Sequence, residues 1–242
     1  MKAMIFAAGL GTRLRPITDT IPKALVPIAG KPLLEHVVTK LADNGFDEIV
    51  VNVHHHADKI ISFLNEKKNF GIHIDISDEK DLLMDTGGAI AQAMPLLAHS
   101  DVIMVHNVDI MSSIRLSDIA NRFVQSGDDA WLVTQNRDTS RKLLFDTDGR
   151  LVGWRNITNN AFKWVDGESS HYEESAFNGI HFFKPSLFSG TEQKPASVID
   201  LYLALAKDNT IRQIKVSPAF WFDLGKPQEI EHAEKTMKQT GI

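Results

Sequence analysis

Short runs of strand character alternate with helix-like segments from the first residues through Gln135. The strand candidates are AMIFAA, EIVVNV, IHIDIS, VIMVH and AWLVTQ. Between them lie segments whose apolar residues recur at helical spacing, namely LLEHVVTKLADNG, HADKIISFLNEK, AIAQAMPLLA and LSDIANRFVQSG. Strands that alternate with helices are joined by crossover connections, which favour parallel pairing. The sequence therefore predicts an α/β fold with a doubly wound, mostly parallel, Rossmann-like sheet.

Proline and glycine residues indicate where these helices begin and end. Pro32 is predicted as the first residue of the first helix, because its fixed φ suits that position and the helix needs no N–H there. Gly45 and Gly127 follow the last apolar residue of a helical pattern, where a left-handed residue commonly ends a helix. The segment DTGG, residues 85–88, is predicted as a turn before the third helix.

The pattern changes after Arg141. LLFD and LVGW flank the turn TDGR, and Asp-Gly between two apolar runs predicts a β-hairpin. Residues 155–174 are polar and irregular, which predicts a lid or substrate loop. The remaining segments predict the strand SAFNGIHFF, the helix SVIDLYLALAKDN, the strands IRQIKV and FWFDLG, and the terminal helix PQEIEHAEKTMKQTG. No repeat or linker interrupts the chain, so we expect residues 1–242 to form a single domain with a small C-terminal elaboration of the same sheet.

Composition narrows the possible function classes. The 242 residues include 43% hydrophobic residues and no cysteine, and the formal net charge is −5. The absence of cysteine excludes disulfides, thiol nucleophiles and cysteine-ligated zinc, and it fits a cytoplasmic protein. The acidic balance argues against nucleic acid or a membrane surface as a partner. No run approaches the ~18 consecutive apolar residues of a membrane-spanning helix.

One loop concentrates positive charge in this acidic chain. The segment GLGTRLRPITDTIPKALVPIAGKP, residues 9–32, follows the first predicted strand. Gly9 and Gly11 would let backbone N–H groups approach an anion closely. Arg13 can donate two hydrogen bonds to phosphate oxygens, and Lys23 adds a point charge. Because Leu14 replaces the third glycine of Gly-x-Gly-x-x-Gly and no Gly-Lys-Ser/Thr follows, the loop predicts a polyphosphate site of another kind.

The segment FAAGLGTRLRPITDTIPKALVPIAGKPLLEH, residues 6–36, resembles the signature of the sugar-1-phosphate nucleotidylyltransferases. The resemblance continues at DTGGAI, HNVDI, FNGI and WFDLGKPQEI, so it covers essentially the whole chain. It implies the sheet of the nucleotide-diphospho-sugar transferases, with residues 1–140 binding the nucleotide and residues 141–242 forming the sugar-binding and lid part. Within the family, the chain is most similar to members that transfer a uridylyl group to N-acetylmuramic acid 1-phosphate.

The resemblance implies a role for each matching residue. Arg13 and Lys23 are implied as catalytic residues. The implied nucleotide-binding residues are Ala8, Gly9, Gly11, Thr12, Thr86, Gly87 and Gly88. The implied sugar-binding residues are Asn178, Gly179 and Glu174. From the residues alone, Gly87 and Gly88 also fit a plain helix start, and Asn178-Gly179 also fits a bulge in a strand.

Two aspartates match the metal positions of the family. Asp109 follows the strand VIMVH, and a carboxylate at a strand end can hold Mg²⁺ against phosphate oxygens. Asp223 lies among large apolar residues in FWFDLG, where we expect a buried carboxylate that needs a partner or a metal. The resemblance therefore implies Mg²⁺ as the cofactor.

The chain also departs from the family pattern. The usual Gly-Asp of the metal motif is Val108-Asp109 here, so the turn lacks its glycine. Many members carry a Glu-Lys-Pro motif whose lysine contacts the sugar phosphate, and this sequence has none. Arg155 follows the hairpin at a comparable place and Lys163 lies in the predicted loop, and the sequence leaves open which of them, if either, replaces that lysine.

The implied reaction joins a sugar 1-phosphate to the α-phosphorus of a nucleoside triphosphate, UTP being favoured, and releases pyrophosphate. Guanylyl transfer to mannose 1-phosphate or a heptose 1-phosphate, and cytidylyl transfer to phosphocholine, are alternatives with the same chemistry. A non-catalytic nucleotide-sugar sensor is an alternative from another class. The sequence leaves the sugar, the base and the oligomeric state open.

Overall fold

The structure is a computed structural model that describes residues 1–240. The elements up to Ser112 are β1 (Lys2–Phe6), β2 (Pro27–Ile28), β3 (Lys31–Pro32), α1 (Leu33–Asp43), β4 (Glu48–Val53), α2 (Ala57–Glu66), β5 (His73–Asp78), α3 (Asp85–Leu97), β6 (Ile103–Asn107) and β7 (Ile110–Ser112). They are followed by α4 (Leu116–Ser126), β8 (Ala130–Gln135), β9 (Arg141–Phe145), β10 (Leu151–Asn156), β11 (Ala161–Trp164), β12 (Glu173–Phe183), α5 (Val198–Leu205), β13 (Ile211–Lys215), β14 (Trp221–Asp223) and α6 (Pro227–Thr240). The predicted alternation of strands and helices is confirmed.

Contacts between Cα atoms divide the chain into two compact units. The first unit contains Met1–Leu83, His106–Leu116 and the chain from Pro218 on, and the second contains Met84–Val105 and Ser117–Ser217. Each unit is therefore assembled from separate stretches of sequence. The assignment of residues 1–140 to the nucleotide and residues 141–242 to the sugar stays a prediction.

A parallel arrangement of β1, β4 and β5 forms the centre of the first unit. In this ladder Phe6 lies opposite Asn52, which in turn lies opposite Ser77. Ala3, Met4 and Ile5 of β1 and the apolar side chains of β4 are buried, as the continuous apolar runs of these strands require, whereas Phe6 at the end of β1 is half-buried. The same unit contains two antiparallel pairs, β2 with β3 and β7 with β14. Because β1, β4 and β5 run in the same direction, the loops that follow them leave from one edge.

The second unit has mixed pairing. β12 pairs antiparallel with both β8 and β9, β10 pairs antiparallel with β9 and β11, and β13 runs parallel to β8. Helix α3 packs against α5 in this unit. The hairpin predicted around TDGR is confirmed as β9 and β10, with Gly149 at a φ of 76°. The α/β class is confirmed: β1, β4 and β5 pair parallel in the first unit, beside its two short antiparallel pairs, and the ladder of the second unit contains both orientations.

Three local predictions need correction, and the first two concern helix starts. Pro32 is not the first residue of α1. Its backbone is extended (φ −57°, ψ 146°), it pairs with Pro27 in the small ladder, and α1 begins at Leu33. The segment DTGG, residues 85–88, is not a separate turn but the first turn of α3.

The third correction concerns residues 155–174, which are not irregular throughout. β10 continues to Asn156, and β11 returns antiparallel beside it. The connection contains Asn160 at a φ of 52°. Asparagine tolerates this left-handed conformation, so it can make a tight turn without glycine.

The helix ends follow the glycine signals. Gly45 (φ 82°) follows α1, and Gly127 (φ 78°) follows α4, both in the left-handed conformation that ends helices. The helices are short, α6 having 14 residues. Within residues 1–240, none is long and apolar enough to cross a bilayer.

A buried histidine lies in the core of the second unit. His181 on β12 is 1% exposed, and its Nδ1 lies 2.6 Å from the hydroxyl of Tyr202 on α5. Burial lowers the pKa of His181 to about 3 and raises the pKa of Tyr202 well above its usual value. The folded protein therefore keeps His181 neutral at a pH where an exposed histidine would take up a proton.

This burial predicts a pH-dependent loss of stability on acidification. Between pH about 6.5 and about 3, the unfolded state binds a proton at His181 that the folded state does not bind. The free energy of unfolding therefore falls as the pH falls through this window. In the variant His181→Gln this contribution is absent, so from pH 7.5 to 5 the variant should lose about 2 kcal/mol less than the unchanged protein.

Urea unfolding at a series of pH values would measure this difference. The control is His99→Gln, because His99 is exposed. Parallel pH dependences of the unchanged protein and His181→Gln would contradict the prediction.

Candidate active site

The loop after β1 folds back on the segment that follows it. Gly11 has a φ of 64°, and a Cβ there would lie 2.8 Å from Thr18 Cγ2 and 3.1 Å from Lys23 Cβ. The buried hydroxyl of Thr18 donates to the carbonyl of Gly11 at 2.8 Å. Glycine is needed at position 11 for both its conformation and this close packing. The sequence prediction credited Gly11 with access for an anion, and the structure adds the packing requirement.

The loop presents backbone groups to the exterior. Gly9, Thr12 and Arg13 are exposed, whereas Ala8 is buried at 5% exposure. Across the described residues 1–240, no hydrogen bond to another protein group engages the amides of Gly9, Leu10 or Gly11. Successive free N–H groups of this kind make an anion-binding surface.

Lys23 and Asp109 form an ion pair, in which Lys23 Nζ donates to Asp109 Oδ2. Each side chain is only 13% exposed. Asp109 follows β6, and Val108 N–H donates to the carbonyl of Phe6 at 3.2 Å, so the turn is anchored beside the end of β1 without the expected glycine. An ion pair this far from water is less screened than a surface pair.

Asp223 reaches the same place through the pairing of β7 with β14. In that ladder Asp223 lies opposite Ile110, and Leu224 N–H donates to the carbonyl of Asp109 at 2.8 Å. The two predicted metal-binding aspartates are therefore neighbours. The expectation that Asp223 is buried was wrong, since its side chain is 42% exposed.

Arg13 lies beside Asp223, with Nη2 4.0 Å from Asp223 Oδ1. The same carboxylate oxygen accepts a hydrogen bond from Gly225 N–H at 3.1 Å. A Cβ at Gly225 would lie 2.3 Å from Arg13 Nη2 and 2.9 Å from Asp223 Oδ1. Gly225 therefore provides the space in which the guanidinium lies.

Two titratable groups behind Asp109 differ from their usual state. Burial lowers the pKa of His106 to about 4; the hydrogen bond to the carbonyl of Asn107 and the charge of Asp109 oppose this, and the charge of Lys40 adds to it. Burial also lowers the pKa of Lys40 to about 8. At neutral pH His106 is uncharged, so it adds no positive charge next to Asp109.

The first unit thus gathers Arg13, Lys23, Asp109 and Asp223 around the loop that follows β1. Two carboxylates fit Mg²⁺, which is commonly bound by one or two carboxylates together with phosphate oxygens and water. Within residues 1–240, no group of three or more histidine, aspartate or glutamate side chains is arranged to hold a metal by itself. A cation here would need oxygens from the substrate.

Thr86, Gly87 and Gly88 lie in the first turn of α3 in the second unit, where they contact the segment before α5. The amides of Gly87 and Gly88 both donate to the carbonyl of Ala196, at 2.7 and 3.2 Å. Thr86 Oγ1 accepts from Val198 N–H at 2.9 Å. A Cβ at Gly88 would lie 2.3 Å from the carbonyl oxygen of Lys194. Close packing accounts for both glycines, and their contact with a nucleobase stays a prediction.

Asn178 and Gly179 lie in a bulge of β12. The register with β8 shifts between Phe177 and His181, and Gly179 has a φ of 85°. Asn178 is 1% exposed, and its Oδ1 accepts from Ile180 N–H at 3.1 Å. The alternative of a strand bulge is confirmed, and a role in sugar binding stays a prediction.

Arg155 and Lys163, the two candidates to replace the lysine of the missing Glu-Lys-Pro motif, each contact a carboxylate. Arg155 Nη1 donates to Glu174 Oε1 at 2.6 Å, and the guanidinium lies 5.0 Å from the ring centroid of Phe162. Lys163 Nζ donates to Asp200 Oδ1 at 2.5 Å. Arg155 is thereby linked to Glu174, one of the implied sugar-binding residues, and the choice between the two cations stays open.

Sequence reasoning missed three residues that shape the first unit's site. Gly225 lies two positions after Asp223, and this nearness to a predicted metal-binding residue was the available indication in the sequence that Gly225 belongs to the site. Asn52 and Glu79 are buried polar residues. Asn52 is the next-to-last residue of β4, and Glu79 directly follows β5. Asn52 Oδ1 accepts a hydrogen bond from Ala7 N–H at 2.7 Å. An asparagine at the end of an apolar strand gives no signal of its own.

Known proteins resemble the chain along its length. The family model of the nucleotidyl transferases matches residues 2–142. An N-acetylmuramate alpha-1-phosphate uridylyltransferase of Caulobacter vibrioides is 34% identical over 245 residues, which cover 98% of this chain and 97% of that protein. A mannose-1-phosphate guanyltransferase of Aspergillus oryzae is 28% identical over 232 residues, which cover 95% of this chain and 62% of that longer protein.

The fold has close counterparts among solved structures. A Bacillus anthracis protein assigned as a glucose-1-phosphate thymidylyltransferase, crystallised with sucrose, superposes with a TM-score of 0.81 at 20% identity. The match covers 98% of this chain and 94% of that one. At this identity the likeness concerns the fold alone, and it agrees with the predicted α/β class.

The space at Gly225 predicts that a methyl group there displaces Arg13. In Gly225→Ala the flexible guanidinium should move away, because the Cβ would overlap it and the nearest atoms belong to the ends of side chains rather than to the backbone. The affinity for a nucleoside triphosphate should fall about tenfold, the loss of a charge-assisted hydrogen bond. Isothermal titration with UTP and with GTP would measure it, with thermal unfolding as the check on folding.

A double-mutant cycle provides the control for this prediction. If Gly225 acts through Arg13, adding Gly225→Ala to Arg13→Ala should cost no further affinity. Additive losses would show that the glycine acts elsewhere.

Proposed function

We propose a reaction for this chain, which belongs to the nucleotidyl transferase family: it transfers a uridylyl group from UTP to N-acetylmuramic acid 1-phosphate and releases pyrophosphate. The coarser activity, nucleotidyl transfer to a sugar 1-phosphate, follows from the family and from relatives that match nearly the whole chain. The substrate pair rests on the likeness to the Caulobacter enzyme. The cysteine-free composition suits a cytoplasmic setting for the reaction.

The observation that carries the proposal is the convergence of charge at one loop. Arg13 and Lys23, two aspartates and unengaged loop amides meet beside the end of β1. A triphosphate requires cations and N–H donors, and a metal ion requires carboxylates. An arrangement that served folding alone would not need Arg13, which is 53% exposed, beside Asp223, which is 42% exposed.

The residues act by positioning and by neutralising charge. The attacking group is a phosphate monoester whose second pKa is about 6, so it is largely ionised at neutral pH and needs no general base. Loop amides and Arg13 would bind the phosphates of the nucleotide, and Arg13 would stabilise the charge that develops on the leaving pyrophosphate. Lys23 would reduce the repulsion between the sugar phosphate and the triphosphate. Holding both reactants in line supplies much of the rate enhancement.

Asp109 and Asp223 are proposed to hold Mg²⁺. When bound, the ion would neutralise phosphate charge, which is the chemistry that this reaction class needs. In the absence of a cation, Lys23 neutralises Asp109. The ion pair therefore holds the carboxylate in place between turnovers.

Guanylyl transfer to mannose 1-phosphate is the second candidate. Relatives named for that reaction match 95% of this chain, although the chain spans about 62% of their length. Both candidates use the same first-unit cluster. They differ in the base and the sugar, which the residues of that cluster do not distinguish.

A pyrophosphate-release assay with Mg²⁺ would test the proposal. UTP, GTP, CTP and dTTP would each be paired with the 1-phosphates of N-acetylmuramic acid, mannose, a heptose, glucose and N-acetylglucosamine, and with phosphocholine. We expect turnover with UTP and the muramic substrate. Turnover with GTP and mannose 1-phosphate instead would establish the second candidate, and silence with all pairs while nucleotide still binds would favour a sensor.

Replacing Asp109 should separate catalysis from binding. In Asp109→Asn the carboxylate that is proposed to hold the metal is lost and Lys23 is freed to contact phosphate. Turnover should fall about a hundredfold or more, as when a charge-stabilising group is removed from an active site. The affinity for the triphosphate should be unchanged or higher.

Steady-state kinetics and calorimetry on the same preparation would measure these effects. Asp58→Asn, an exposed charge change on α2 of the same unit, is the matched control. Full activity of Asp109→Asn would contradict the assigned role.

A further inference from the structure

A chain of buried hydrogen bonds runs beneath the candidate phosphate loop. Ala7 N–H donates to Asn52 Oδ1 at 2.7 Å, and Asn52 Nδ2 donates to Glu79 Oε1 at 2.7 Å. The three residues stand at the carboxyl ends of β1, β4 and β5, which lie side by side in the parallel ladder. Asn52 lies on β4, the middle strand of the three. Its side chain therefore bonds to the start of the loop after β1 on one side and to the Glu79 carboxylate after β5 on the other.

All three residues are removed from water. Their exposures are 2% for Ala7, 3% for Asn52 and 2% for Glu79. Glu79 is also held through its backbone, since its N–H donates to the carbonyl of Val53 at 2.8 Å and its carbonyl lies 2.7 Å from His54 Nδ1. Burying a carboxylate is costly unless it is bonded, so a carboxylate at this place needs a reason beyond filling space.

The reason lies in the hydrogen-bonding polarity of a carboxylate. An ionised carboxylate only accepts hydrogen bonds, whereas an amide side chain can present either its donor or its acceptor end. In the structure Asn52 presents Nδ2 to Glu79 Oε1, and its Oδ1 then faces Ala7 N–H. If the side-chain amide of Asn52 were turned so that Oδ1 and Nδ2 exchanged places, Nδ2 would face Ala7 N–H, so that two buried donors would lie against each other.

We propose that the Asn52–Glu79 pair is an orientation lock that positions the phosphate loop by fixing the amide of Ala7. The two side chains are positioning residues, since neither belongs to the exposed part of the loop. With Ala7 anchored, the amides of Gly9, Leu10 and Gly11 are left to bind phosphate in a fixed direction. The consequence for substrate rests on the proposed function, whereas the lock itself is a property of the fold.

Exchanging the two functional groups tests the lock. Asn52→Asp places two carboxylates against each other and should disturb the Ala7 bond. Glu79→Gln permits Asn52 to flip and should disturb it less. The double variant Asn52→Asp/Glu79→Gln restores an acceptor for Ala7 N–H and a donor opposite it, at the original total charge, so it should recover what each single variant loses.

Amide hydrogen exchange of Ala7 is the direct readout and requires no ligand. Protection of this amide should fall about tenfold or more in Asn52→Asp, the loss of one buried hydrogen bond, and should return in the double variant. Asn65→Asp on α2 makes the same charge change at an exposed site and should leave it unchanged. Unchanged Ala7 protection in Asn52→Asp, or no recovery in the double variant, would overturn the proposal.

Nucleotide kinetics supply the second readout. The KM for the triphosphate that the unchanged protein uses should rise about tenfold in Asn52→Asp, with a smaller effect on kcat, and should return to within about threefold in the double variant. The defect of Asn52→Asp should shrink from pH 8 to pH 6, because one of the two adjacent carboxyl groups can take up a proton and become a donor.

The two readouts separate the two proposals. If exchange follows the expected order but the unchanged protein turns over no substrate, the lock stands and the proposed function fails. If exchange and thermal stability change while KM stays constant in an active enzyme, the pair serves folding alone and the proposed positioning role is overturned.

Discussion

The antiparallel pairing of β7 with β14 holds the two aspartates of the candidate site side by side. The strands come from distant parts of the chain, and their register sets Asp223 opposite Ile110. Because side chains alternate between the faces of a strand, a shift by one residue would turn Asp223 to the other face. Arg13 and Gly225 are arranged around Asp223, so the geometry of the whole charged cluster depends on this one short ladder.

The two ion pairs of this cluster differ in their access to water. Lys23 and Asp109 are each 13% exposed, whereas Arg13 and Asp223 are 53% and 42% exposed. The sheltered pair lies where charge interactions are strong and its members are fixed, and the accessible pair lies where a substrate can reach it. This contrast divides the cluster into a fixed part next to the core and an adaptable part at the surface.

Sequence patterns predicted the elements better than the contacts between them. Helix and strand periodicity is local, so the alternation and the glycine helix ends could be read directly, as could the basic loop with Arg13 and Lys23. The bonds of Gly87 to Ala196, by contrast, join residues that are far apart in the chain, and periodicity carries no information about such pairs. The left-handed Asn160 was missed for a different reason, because asparagine makes such turns less regularly than glycine.

The interleaved composition of the first unit constrains the order in which the protein can form. Its parallel strands β1, β4 and β5 are complete once β5 has been synthesised, but β14 arrives only after the whole second unit has been made. Until then, β7 lacks its partner strand, and Asp109 stands without Asp223 beside it. During synthesis the loop after β1 can therefore form early, whereas the charged cluster closes last, and a nascent chain cannot carry a complete cluster before β14 has left the ribosome.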